Sequence, residues 1–92
     1  MEYQNTMNDE QALFTHLRVN RAKASRKDFA LAVGTTESTL SRVESGLRKA
    51  SFDLVIKLRH AMLKLVDDFS DAEMFDFDRA REALAEPTSV AP

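Results

Sequence analysis

The sequence predicts an all-α fold, a compact domain of five helices, and three observations carry that expectation. Gly occurs only at positions 34 and 46 and no Pro precedes Pro87, so the interior lacks the turn residues that a set of hairpins demands. A helix-capping residue stands ahead of each apolar-periodic stretch: Asn8 or Asp9, Ser25, Thr36, Ser51 and Ser70. Finally, 92 residues at 43% hydrophobic and 30% charged suit one small core and are too few for two.

Each element follows from its own signals. The first helix is expected to run from the cap at Asn8 or Asp9 to about Lys23, with Leu13 and Leu17 one turn apart and Phe14 beside them. Ser25 followed by Asp28 opens a second, short helix burying Phe29, Ala30 and Val33, which Gly34 ends because glycine accepts the left-handed conformation at little cost. Thr36 caps a third helix that turns Leu40 and Val43 inward and stops at Gly46. Two helices this short with so tight a link must cross steeply. Ser51 caps the fourth, expected to place Phe52, Val55, Ile56, Leu58, Met62, Leu65 and Val66 toward the core. Ser70 and Glu73 form a capping box for a fifth helix, about 71 to 85, whose stripe is Met74, Phe77, Ala80 and Leu84, with Phe75 pointing elsewhere.

Charge is divided unevenly. The net charge is −2, which alone argues against a polyanionic partner. Met1 to Val66, however, holds 11 Lys or Arg against 7 Asp or Glu, giving +4, whereas residues 67 to 92 hold 2 against 8, giving −6. One basic knot comprises Arg18, Arg21, Lys23, Arg26 and Lys27, and a second comprises Arg42, Arg48 and Lys49. The absence of Cys removes disulfides and thiolate metal sites. His16 and His60 are expected to be exposed helix residues, no HExxH or phosphate loop is present, and no metal, cofactor or catalytic centre is expected. No apolar run approaches the ~20 residues of a membrane span, and the polar start lacks a signal-peptide core. The expectation is a soluble, cytoplasmic protein with no membrane partner.

The stretch SRKDFALAVGTTESTLSRVESGLRKASFDLVIKLRHAM resembles the DNA-binding domain of Cro, phage repressors and the broader XRE family of helix-turn-helix regulators. The resemblance covers about Leu13 to Met62 and rests on Ala30, Gly34, Thr36, Leu40, Val43 and the Glu44-Ser45-Gly46 exit taken together. It implies a five-helix, repressor-like fold whose third helix enters the major groove of double-stranded DNA, usually as a homodimer on a palindromic operator. It further implies an internal ion pair between Arg18 and Glu44, and base reading by Glu37, Ser38 and Arg42. Three departures stand out: the family commonly has Gln at Arg26, Pro at Ala50, and Gly-Leu where Lys23-Ala24 precede Ser25.

The chemistry of the residues fits that implication. A helix that approaches base edges needs short polar side chains in its first turn and a longer donor one turn later, and the fork of Arg42 matches the two acceptors of guanine. Thr36 and Thr39 at the positive helix end, Arg26 and Lys27 before it, and Arg48 and Lys49 after it are candidates for phosphates. The chain divides on this reading into a flexible start (1–8), a DNA-binding domain (9–66), an acidic dimerisation helix (67–86) and a flexible tail (87–92). Phe69, Met74, Phe75, Phe77 and Leu84 are the expected dimer contacts. A competing reading keeps the fold but gives it a protein partner, as an interaction module or an antitoxin-type regulator.

Overall fold

The structure, a computed structural model, describes residues 7–85, and every element among them is helical. Helix α1 (Asp9–His16) starts on a reciprocal box: Asn8 Oδ1 accepts the Gln11 N–H at 2.7 Å and Gln11 Oε1 accepts that of Asn8 at 3.3 Å. Beyond His16 the ladder widens into a π-helical segment, Leu17–Ala22, closed when the Lys23 N–H reaches back to the Arg18 carbonyl. The single first helix expected through Lys23 is therefore continuous in direction but not in its hydrogen bonding. Lys23 takes φ 53°, the one positive φ outside glycine among the described residues.

Helix α2 (Arg26–Val33) is capped by Ser25 Oγ, which accepts the Asp28 N–H at 3.1 Å, and ends at Gly34 with φ 91°. Gly34 and Thr35 both donate to the Ala30 carbonyl, at 2.9 and 3.0 Å, and this closes the turn into α3 (Glu37–Glu44). Helix α4 (Phe52–Leu65) is capped by Ser51. A 3₁₀ segment (Asp71–Phe75) and α5 (Phe77–Ala85) complete the chain. Phe14, Phe29, Leu17, Leu40, Leu58, Met62 and Val43 are fully buried at the centre, where truncating any one large side chain to Ala costs about 2–5 kcal/mol.

Three expectations fail against this architecture. On α4 the buried stripe is Leu54, Leu58, Ala61 and Met62, while Phe52 is 81% exposed and Ile56 and Leu65 also face solvent. Spacings of four, three and one define the true helical face, and the aromatic first residue lies off it. The last helix is broken: Glu73 does accept the Ser70 N–H at 3.3 Å, but that start leads only into the 3₁₀ turn, and Asp76 Oδ1 accepts the Arg79 N–H to begin α5 anew. The third concerns His16, which is 9% exposed and belongs to the interior.

The acidic segment packs on the body of the fold. Helix α5 lies against α1, with Ala80 fully buried where the two backbones approach and Arg81 gripping the Met7 carbonyl and Asp9. Of the expected dimer contacts, Phe69 (7%) and Met74 (4%) are buried in the chain's own core and Phe77 packs against it. Leu84 is half-buried. Phe75, at 74% exposure, is the member of the set that faces solvent. Residues 1–6 and 86–92, including the tail expected at 87–92, lie outside the described residues.

Candidate nucleic-acid interface

Helix α3 is anchored from one side and open on the other. Leu40, Val43 and Glu44 are buried, whereas Glu37, Ser38 and Arg42 are exposed and fall within an arc of about 140° at 3.6 residues per turn. The cap supplies a second polar feature beside that arc. Thr36 Oγ1 accepts the Thr39 N–H at 3.0 Å, and the two hydroxyls are themselves 3.0 Å apart. Two hydroxyls that share one hydrogen bond leave one O–H free to donate outward. Arg48 Nη1 lies 3.4 Å from Thr39 Oγ1, which brings the guanidinium back over the start of α3.

Behind this face sits a small ion cluster. Arg18 donates through Nε and Nη2 to the two oxygens of Glu44, at 2.7 and 2.9 Å, and through Nη1 to the Ala24 carbonyl at 3.2 Å. The Glu44 side chain is 3% exposed and that of Arg18 13%. The fork geometry fixes the end of α3 to the π segment, since planar bidentate pairing tolerates little rotation. Arg26, grouped by sequence with the phosphate contacts, donates to the same carboxylate at 3.2 and 3.3 Å. Half of its bonding capacity therefore serves the scaffold. The segment after α3 is held by Glu10, whose carboxylate accepts the Ala50 N–H at 2.9 Å, and by Gly46, whose φ of 81° and closeness to Gln11 leave no room for a Cβ.

The acidic region neutralises part of the basic one. Arg21 pairs with Glu73 at 2.7 Å and Asp68 at 2.8 Å, and Arg59 pairs with Asp71 at 2.8 Å. Lys23, Lys27, Arg42, Arg48 and Lys49 remain exposed, so the cations left for an anionic partner flank α2 and α3. Beside Arg21, His16, Glu73, Asp76 and Arg79 line a polar cleft of about 300 Å³. Burial, followed by the nearby Arg79 and Arg21 charges, pulls the His16 imidazole below its ordinary value of 6.5 against the opposing pull of Glu73 and Asp76. Its Nδ1 lies 2.9 Å from Asn20 Nδ2, a donor that a neutral ring accepts and an imidazolium cannot.

A family described as helix-turn-helix matches residues 17–62, 46 of the 92 residues. The chain belongs to the helix-turn-helix family. The match, of the XRE and Cro type, spans the π segment, α2, the Gly34 turn, α3 and most of α4, with α5 outside it. Membership makes this a DNA-binding regulatory domain. No curated protein and no solved structure matches the chain. Against the family's usual glycine, Lys23 occupies a left-handed backbone, which explains why glycine suits that position. Sequence reasoning missed Glu10 as a clamp and the second role of Arg26. Only the gap left by the family's usual proline at Ala50, which frees an N–H needing an acceptor, could have pointed to Glu10.

Proposed function

We propose that the protein is a sequence-specific transcriptional repressor that binds a palindromic operator as a homodimer, with α3 in the major groove. One observation carries the reading: the outward arc of α3 bears Glu37, Ser38 and Arg42 while its opposite side is locked by Leu40, Val43 and the Arg18–Glu44 pair. A rigidly held helix with a free polar face can reach base edges without further ordering.

In this reading Arg42 takes guanine through its fork, Glu37 accepts from cytosine N4, and Ser38 permits close approach. The free hydroxyl of the Thr36–Thr39 pair, with Lys27, Arg48 and Lys49, holds phosphates, and Arg26 adds its outward edge. Repression by occupying a promoter needs no effector domain, and a cytoplasmic location follows from the same role. Among the described residues no helix is long and apolar enough to cross a membrane.

Selection from a random oligonucleotide pool tests the function, and failure to enrich any sequence at physiological salt refutes it. Arg42→Ala should cost about 1–3 kcal/mol at the base it reads and relax specificity there. By contrast, Lys49→Ala should weaken all sites alike and lower the salt slope by about one.

A further inference from the structure

We propose that the apolar groove between α4 and the 3₁₀ segment is where a second copy of this chain docks about a two-fold axis, each Phe75 covering the groove of the other copy. The groove encloses about 340 Å³ and is lined by Phe52, Ile56, Arg59, Asp71, Met74 and Phe75 among others. Met74 is its buried floor, while Phe52 and Phe75 stand 81% and 74% exposed on its rim.

Area and charge both select a second copy. Two phenyl rings at that exposure present roughly 300 Å² of apolar surface, at the size where a patch on a monomer is commonly functional. Paired across a two-fold axis they remove roughly 600 Å², and the surrounding polar rim brings the total toward the ~1,000 Å² at which specific interfaces begin. The rim carries both signs in equal number. Arg59 binds Asp71 at 2.8 Å, and on the neighbouring face of α4 Lys57 binds Asp53 at 3.3 Å. A polyanion or a basic peptide would meet one sign with repulsion, whereas the same surface rotated by a half-turn opposes each cation with an anion. None of Glu37, Ser38 and Arg42 lines the groove, so docking there leaves the outward face of α3 free. The docking itself stands apart from the regulator reading; only its use, presenting two α3 helices to one duplex, rests on that reading.

The test is sedimentation of the full chain from micromolar to hundreds of micromolar, with circular dichroism to verify that each variant keeps its helices. The wild type is expected to dimerise, Phe52→Ser and Phe75→Ser each to raise the dissociation constant at least ~30-fold, and the double variant to sediment as a monomer. Arg59→Asp and Asp71→Arg are each expected to be monomeric alone and to form a heterodimer when mixed, because like charges then face opposite ones only across the interface. A wild type that stays monomeric overturns the proposal, as does a dimer indifferent to the double variant or a groove filled by another protein in preference to a second copy. The DNA reading fails separately: a dimer that binds no duplex refutes the regulator and leaves the interface standing. A double variant that keeps half-site binding but loses the gain on the full palindrome supports both.

Discussion

Replacing Arg18 with Met should destabilise the fold by about 3 kcal/mol, a value set by how Glu44 is held. The carboxylate is 3% exposed and receives its two shortest bonds, 2.7 and 2.9 Å, from Arg18. Breaking a buried pair from one side costs ~3–5 kcal/mol because the other charge stays buried. Arg26 remains on Glu44 at 3.2 and 3.3 Å, which puts the expected loss at the lower end. Arg26→Met should cost under ~1 kcal/mol, since that side chain is 44% exposed and water screens what it contributes. For a domain of this size, ~3 kcal/mol lowers the melting temperature by more than ~10 °C. Urea unfolding followed by far-ultraviolet circular dichroism measures both variants. The double variant Arg18→Met/Glu44→Met should recover most of the loss, because an apolar pair replaces a stranded charge. A cost under ~1 kcal/mol for Arg18→Met would refute the claim that this pair braces α3.

Two further outcomes follow from single residues. His16 binds its proton less readily in the folded chain than in the unfolded one, so no penalty exists well above pH ~6.5, and stability falls as pH drops through that value toward the lower folded pKa. His16→Gln should flatten this slope between about pH 7 and 5 in parallel urea titrations; an unchanged slope would remove His16 as its source. At Lys23, φ 53° costs a residue with a Cβ about 1 kcal/mol that glycine does not incur. Lys23→Gly should therefore be more stable by up to ~1 kcal/mol in thermal melts, and a marked loss of stability would show that the lysine makes contacts outweighing the strain.

Much of this molecule was legible in the sequence because it is written in local chemistry. Ser25, Thr36 and Ser51 cap helices where their hydroxyls can reach an amide three residues on, and such signals involve neighbours only. The α2–α3 turn was equally plain, since Gly34 adopts a conformation other residues resist. What stayed hidden depends on partners far along the chain. Arg21 meets Glu73 across 52 residues, so the basic knot looked uniformly available for phosphates when two of its arginines, 18 and 21, are held by carboxylates. The fourth helix was misphased because Phe52 and Ile56 are the more hydrophobic residues while Leu54 and Ala61 have the right direction. Burial there follows angle rather than hydrophobicity alone. Likewise the aromatic surplus near the end was real, but the break at Asp76 let Phe69 and Met74 return to the core.

The widened turn at Leu17–Ala22 also affects how this chain must be compared with others. A π segment amounts to an inserted residue absorbed without a loop, so a plain α-helix could link His16 to Lys23 with one residue fewer. Deleting a position there would restore an even ladder and swing all that follows by about 100°, taking Arg18 or Arg21 away from its carboxylate. Any relative with an unwidened first helix should therefore align with a gap inside this segment, and should lack one of the two arginine clasps.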